Sequence, residues 1–132
     1  MSSLTSDPRE VVRRLIDEVM NEGQLAVIAE LYTPSLVPGA QRWIAPFRTS
    51  FPDLHMEIRE LLVVGDRVIG RFWCSGTHLG AWRGYPPTGG RFERIDEVYF
   101  FRIVDGRIVH AWGIEDTLAR MVQLGLVQLP AK

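Results

Sequence analysis

The spacing of hydrophobic residues changes near residue 55 of this chain. Before that point they recur every three or four positions, which is the period of an amphipathic helix. After it they alternate with polar residues, as on a half-buried strand. A run of helices followed by a run of strands predicts an α+β fold. We expect the helices to cover one face of a curved antiparallel sheet.

Three helices are predicted in the N-terminal part. The first begins at Asp7, an acidic N-cap that precedes proline, and ends at Gly23. The second spans residues 24–32. The third spans residues 38–51, where Pro46 should kink the helix or split it in two.

Four long strands follow, arranged as two hairpins. The first hairpin joins residues 56–64 and 67–77 through Gly65-Asp66. The second turns at Asp105-Gly106, which is the strongest short hairpin signal because a type I′ turn needs positive φ at both central residues. The last predicted element is a helix from Asp116 or Thr117 to Leu124, with Asp116 as a good N-cap.

The second hairpin carries the candidate chemistry. A two-residue turn fixes the pairing, so that Phe101 should lie opposite His110 and Tyr99 opposite Trp112. Opposed residues share a face. One face is therefore expected to be aromatic and to hold two titratable groups, and its members are Glu97, Tyr99, Phe101, Ile103, Ile108, His110, Trp112 and Ile114. Such a face is either the wall of a half-apolar pocket or the wet margin of a core.

Composition narrows the class of protein. The 132 residues suffice for one domain, and we expect residues 1–6 and 127–132 to be flexible tails. The formal net charge is −1 and the arginines are scattered, which predicts no nucleic-acid or membrane partner. No apolar run is long enough for a transmembrane helix. The one cysteine, Cys74, should be a buried thiol, and the expected location is cytoplasmic.

Metal and phosphate sites are not predicted. The three histidines, His55, His78 and His110, fall on separate elements without the spacing of paired ligands. Gly89-Gly90 precedes a strand rather than a helix, so it does not form a phosphate-binding loop.

Several motifs in order resemble the SnoaL-like polyketide cyclase family. The resemblance is close over residues 51–125 and covers the N-terminal helices in outline. The matching segments are Phe51-Pro52-Asp53-Leu54, Ser75-Gly76-Thr77-His78-Leu79-Gly80, Gly84-Tyr85-Pro86-Pro87-Thr88-Gly89, the run from Phe101 to Val109, Trp112, Asp116 and Leu124-Gly125. The resemblance implies a nuclear-transport-factor-two-like α+β cone with a deep apolar pocket. It also implies a homodimer formed through the sheet, and no metal or organic cofactor.

The resemblance also implies a reaction class, which is ring closure of polyketides by intramolecular aldol condensation with an acid/base side chain. Relatives on the same cone catalyse other reactions, including isomerisation. Where the last strand of the family usually has acidic-His-Trp-Asp, this chain has His110-Ala111-Trp112-Gly113, and Tyr99 stands where the family often has aspartate or histidine. Between the second and third helices, Leu36-Val37-Pro38-Gly39 replaces an Asp-His pair.

The catalytic hypothesis therefore centres on His110 as general base, because histidine exchanges protons near neutral pH. Glu97 and Tyr99 would orient it or hydrogen-bond a developing oxyanion. Asp96 is a second candidate carboxylate if a β-bulge turns it inward. Otherwise Asp96 belongs to an exposed polar row with Arg94 and Glu115.

The expected ligand is an apolar, oxygenated small molecule of polyketide type. The residues proposed to bind it are Trp112, Phe101, Trp73, Trp43, Phe47, Tyr85, Trp82 and His78. The aromatic stripe of the third helix can equally be core, and His78 can instead cap the loop that follows it. The rival to an enzyme is a non-catalytic binding or assembly domain with a vestigial pocket. The enzyme hypothesis, unlike the binding-domain hypothesis, requires that His110, Glu97 and Tyr99 line one cavity of a few hundred Å³.

Overall fold

The structure, a computed structural model, describes residues 7–131, so the tail predicted at residues 1–6 lies outside the described part. Helices come first, strands follow, and one helix ends the fold, as the hydrophobic spacing predicts. The elements in chain order are α1 (Arg9–Arg14), a π-helix (Leu15–Asn21), a 3₁₀ turn (Leu25–Val27), α2 (Ile28–Leu31), a second 3₁₀ turn (Pro34–Leu36), α3 (Val37–Ser50), β1 (His55–Val64), β2 (Arg67–Thr77), β3 (Arg91–Val104), β4 (Arg107–Glu115) and α4 (Thr117–Gln123).

The four strands form one antiparallel sheet in the order β1-β2-β3-β4. The helical segments cover its inner face, and a single apolar core lies between the two layers. Val12, Ile28 and Ile44 enter this core from the helices, and Phe72 and Ile108 enter it from the sheet. The α+β prediction is confirmed. None of the helices within residues 7–131 is long and apolar enough to cross a membrane.

The helices differ from the prediction in detail. The first helix ends at Gly23, which has a φ of 76°, but its second half is a π-helix that no sequence signal indicated. Of the two alternatives for Pro46, a split does not occur, because α3 runs through Pro46 as one helix. The N-cap of α4 is Asp116, as expected, because its side chain accepts from the backbone N–H of Ala119 at 3.0 Å.

The Asp105-Gly106 turn forms as predicted, with φ values of 51° and 74°. The predicted register holds only beside this turn, where Ile103 faces Ile108. A bulge then shifts the ladder by one residue, because Val109 has no partner on β3. Beyond it Phe101 faces Ala111, Tyr99 faces Gly113, Glu97 faces Glu115, and His110 faces Arg102.

The shift overturns part of the predicted face. Glu97, Tyr99 and Phe101 point inward as expected, but their partners on β4 are small or acidic rather than aromatic. Trp112 now shares the outer face with Phe100, and their rings meet edge to face with centroids 5.8 Å apart. A one-residue slip moves every following side chain to the other face.

His78 caps the loop between β2 and β3, which was the alternative to a binding role. Its ring is buried, and Nδ1 accepts from the backbone N–H of Thr88 at 3.2 Å. The backbone N–H of His78 also donates to Gly90 at 2.8 Å. These bonds close the loop at its base.

Candidate functional site

A cavity of about 430 Å³ lies between the helical segments and the inner face of the sheet. The helical side contributes mainly apolar side chains, which are Leu15, Ile16, Met20, Tyr32, Leu36, Ala40 and Trp43, together with Gly39. The sheet contributes Met56, Tyr99, Phe101 and the five β4 residues Val109, His110, Ala111, Trp112 and Gly113. A largely apolar chamber with a few polar groups is the usual form of a small-molecule site.

Five of the predicted site residues line this cavity: Tyr99, Phe101, His110, Trp112 and Trp43. Trp43 and Trp112 are 45% and 55% exposed, which places them at its mouth. His110 is exposed as well; the bulge places it opposite Arg102 on the outer face of the ladder, so it borders the cavity at the rim formed by the outermost strand. Of the three residues expected to share the cavity, His110 and Tyr99 do so and Glu97 does not.

The ring of Tyr99 lies over Gly113, its cross-strand neighbour on β4. Gly70 on β2 and Gly113 on β4 face Tyr99 in the ladder. A Cβ added at Gly113 would lie 2.0 Å from Cδ1 of Tyr99, which no real side chain tolerates. The tyrosine ring therefore occupies the volume that any residue other than glycine at position 113 would need.

The Tyr99 hydroxyl reaches back to a buried ionic cluster. It donates to Oε1 of Glu97 at 2.9 Å, and Oε2 of Glu97 accepts from Nη2 of Arg120 at 2.7 Å. Nη1 of Arg120 donates to Glu115, which faces Glu97 across the ladder. The rings of Phe47, Phe92 and Trp82 surround the guanidinium group, with centroids 4.7–5.8 Å from Cζ.

The surroundings of this cluster raise the pKa of Glu97 and of Tyr99. Burial first, and then the charge of Glu115, raises the pKa of Glu97 above its ordinary value, against the opposing effect of Arg120. Burial and the neighbouring Glu97 raise the pKa of Tyr99 far above that of a free phenol. Tyr99 therefore stays protonated at physiological pH and can act as a hydrogen-bond donor.

Seven predicted site residues lie outside the cavity lining. Glu97 is buried behind Tyr99, and Asp96 stays on the outer face, where Arg71 and the indole N–H of Trp73 donate to it. A bulge does occur beside Arg94, which has a φ of 55°, but it does not turn Asp96 inward. The remaining residues belong to the outer surface, the core or the loop, and are Trp73, Phe47, Trp82, Tyr85 and His78.

Four features of the site were not predicted from the sequence. Tyr32 was expected to pack in the core as part of the second helix. Gly113 was interpreted only as the replacement of an aspartate that the family usually has. Arg120 lies on a short C-terminal helix and gave no motif. The π-helix supplies Leu15, Ile16 and Met20 to the wall, and its helical spacing indicated only an apolar stripe.

The fold and the cavity define a class of small α+β proteins with an apolar cavity between helices and a curved sheet. The family model for SnoaL-like polyketide cyclases matches residues 10–124. This match covers most of the chain, so the protein belongs to the SnoaL-like polyketide cyclase family.

Two curated relatives are cyclases. The chain is 32% identical over 109 residues to the aklanonic acid methyl ester cyclase DnrD of Streptomyces peucetius, which covers 82% of this chain and 72% of DnrD. It is 30% identical over 122 residues to DauD of Streptomyces sp. (strain C5), which is also an aklanonic acid methyl ester cyclase. This match covers 92% of this chain and 73% of DauD. The crystal structure of IdmH from Streptomyces antibioticus superposes with a TM-score of 0.79 at 28% identity, covering 91% of this chain and 99% of IdmH. The chain is thus an enzyme of the cyclase type.

Proposed function

We propose that this enzyme performs cofactor-free acid/base chemistry on an apolar, oxygenated, polyketide-like molecule bound in the cavity, with ring closure as the leading reaction. The observation that carries the proposal is Tyr99, which lines a 430 Å³ apolar cavity and is bonded at 2.9 Å to a buried carboxyl group. Isomerisation would use the same groups and is the second possibility within this chemistry.

Tyr99 is proposed to stabilise the enolate oxygen. Removing a proton from the carbon next to a carbonyl places negative charge on that oxygen, and a donor fixed in an apolar site lowers the energy of this state. A protonated Glu97 can donate to the Tyr99 oxygen while Tyr99 donates to the substrate. The raised pKa of Glu97 supports this arrangement, because it makes the protonated carboxyl group, which can serve as a donor, easier to form.

His110 is proposed as the base, acting from the mouth of the cavity. Its ring takes the proton from carbon, the enolate carbon attacks a second carbonyl of the same molecule, and the new alkoxide takes the proton back from His110. One carbon–carbon bond forms, and the proton count is unchanged. Tyr99 lines the cavity from the inner face of the sheet and His110 borders it from the rim of β4, so a substrate must extend to that rim to meet both groups.

The test is turnover of aklanonic acid methyl ester, the compound named for DnrD and DauD, followed by liquid chromatography and mass spectrometry. Tyr99→Phe should lower kcat by about 10²–10³-fold. His110→Gln should lower it by about 10²–10⁴-fold. The matched controls are Tyr85→Phe and His55→Gln, which change an exposed tyrosine and an exposed histidine outside the cavity and should leave turnover unchanged.

Three results would contradict the proposal. Full activity in His110→Gln would remove the base, and full activity in Tyr99→Phe would remove the oxyanion donor. Wild-type protein that binds the ester without converting it, and converts no related polyketide, would favour the binding-domain alternative.

We further propose that the enzyme is a homodimer formed through the outer face of the sheet. A row of apolar residues crosses all four strands in register, and its members are Leu62, Ile69, Phe100 and Trp112. Leu62 and Phe100 are 52% and 37% exposed. Contiguous apolar surface of this kind marks an interaction site, and a twofold interface needs such a self-complementary patch.

Sedimentation velocity tests this proposal. Phe100→Asp places a charge at the centre of the row and should give a monomer. Leu79→Asp, at an exposed leucine in the loop after β2, is the control and should leave the dimer intact. A wild-type monomer at high concentration would overturn the proposal.

A further inference from the structure

Tyr32 is a second phenol in the wall of the cavity, and its hydroxyl has no protein partner among residues 7–131. The side chain is only 3% exposed and lines the cavity. The Tyr32 oxygen is not among the side-chain atoms sealed inside the described protein without a partner. The cavity is the open space that Tyr32 borders, so it is the space that the hydroxyl can reach.

The backbone holds Tyr32 firmly in this position. It ends α2 in an extended conformation with φ −106° and ψ 147°, and it forms a parallel bridge to Ile108 at the start of β4. The N–H of Thr33 donates to the carbonyl of Ile108 at 3.0 Å. Nη1 of Arg107 donates to the carbonyl of Tyr32 at 3.2 Å. The phenol is therefore preorganised before a ligand arrives.

A hydroxyl that opens to the cavity and has no protein partner among residues 7–131 is available to hydrogen-bond a bound molecule. The other phenol of the cavity wall, Tyr99, already donates to Glu97, whereas the Tyr32 hydroxyl has no partner among residues 7–131. We infer that Tyr32 donates a hydrogen bond to the ligand and that the cavity selects molecules with oxygen acceptors for both phenols. This inference rests on the proposal that the cavity binds an apolar, oxygenated molecule.

The acidity of Tyr32 agrees with a donor role. Burial raises its pKa well above that of a free phenol, so the group keeps its proton. Because Tyr32 belongs to no ionic cluster, we assign it to binding rather than to proton transfer. Its loss should therefore raise KM more than it lowers kcat.

The first test is the stability of the ligand-free protein with Tyr32→Phe, measured by urea unfolding. Removing an unpaired hydroxyl should leave the unfolding midpoint equal to or above that of the wild type. A clearly lower midpoint would mean that the hydroxyl has a structural partner, and the inference would be wrong. Tyr85→Phe, at an exposed loop position, is the control.

The second test compares binding of 9-fluorenone and fluorene, which share a shape and differ in one carbonyl. Quenching of Trp43 and Trp112, which line the cavity, reports binding. Tyr32→Phe should weaken fluorenone binding by about three- to tenfold and leave fluorene unchanged. The measurement is made in both the wild-type and the Tyr99→Phe background, because the latter removes the competing phenol.

Equal losses for both ligands, or no loss for fluorenone in either background, would overturn the inference. Neither test requires turnover. If the enzyme fails to convert polyketides, the proposed function fails, while the role of Tyr32 is still decided by unfolding and binding.

Discussion

The two sides of the cavity differ in how firmly their polar groups are held. On the closed side, Tyr99 is bonded to Glu97, and Glu97 to an Arg120 that is 0% exposed. On the open side, Trp43, His110 and Trp112 are exposed. A donor that must meet developing charge gains from rigid placement. A mouth that admits ligands needs groups that can move. We therefore expect substitutions on the closed side to lower the free energy of unfolding and substitutions on the open side to leave it nearly unchanged.

The largest effect is expected for Arg120→Met. It leaves Glu97 and Glu115 without their shared cation, and breaking a buried ion pair in this way costs about 3–5 kcal/mol. Arg102→Met is the matched control, because its pair with Asp66 is exposed and should contribute at most about 1 kcal/mol. Urea unfolding measures both. Similar losses in the two variants would erase the contrast between the two sides.

Gly113→Ala should have the next largest effect. The new Cβ would overlap the Tyr99 ring, and overpacking of this kind costs about 1–3 kcal/mol. The displaced ring should also lose its bond to Glu97, so kcat should fall as in Tyr99→Phe. Gly39→Ala is a control in the same cavity wall, since its nearest neighbour would be 3.8 Å from the added Cβ. Wild-type stability in Gly113→Ala would show that Tyr99 has room to move.

The pH dependence of stability should show the raised pKa of Glu97. Because the folded state holds this proton more tightly than the unfolded state, the contribution of Glu97 falls as pH rises from its unfolded pKa through its folded pKa. One such group changes the free energy of unfolding by at most about 1.4 kcal/mol per pH unit. The difference between wild type and Glu97→Gln, measured by urea unfolding between pH 4 and 8, isolates this contribution. If the free energy of unfolding of the wild type minus that of Glu97→Gln stayed constant or increased with pH, the prediction would be wrong.

The smallest effect on stability is expected on the open side. His110→Ala should change the free energy of unfolding by no more than about 0.5 kcal/mol, because the side chain is exposed. The same variant should lose most of its turnover. Changes at the mouth would then lower turnover without lowering stability, whereas changes on the closed side would lower both. A loss of stability comparable to that of Gly113→Ala would show that the mouth is held as tightly as the closed side.

Much of the fold followed from local signals. The Asp105-Gly106 turn, the Asp116 cap and the end of the first helix at Gly23 each depend on a few neighbouring residues, and each formed as predicted. The site was harder to predict, because β4 gains one unpaired residue at Val109. That bulge moves His110 and Trp112 to the outer face of the ladder, and nothing in the local sequence signals it.

The sequence alone determined the order of the elements, the two turns and the inward orientation of Glu97, Tyr99 and Phe101, because caps, turns and alternation act over short distances. Only the tertiary structure decided that Arg120 from α4 would bind Glu97, that Gly113 would make room for Tyr99, and that Tyr32 would line the cavity. These contacts join residues far apart in the chain, and they depend on a register and a helix packing that no short stretch of residues encodes.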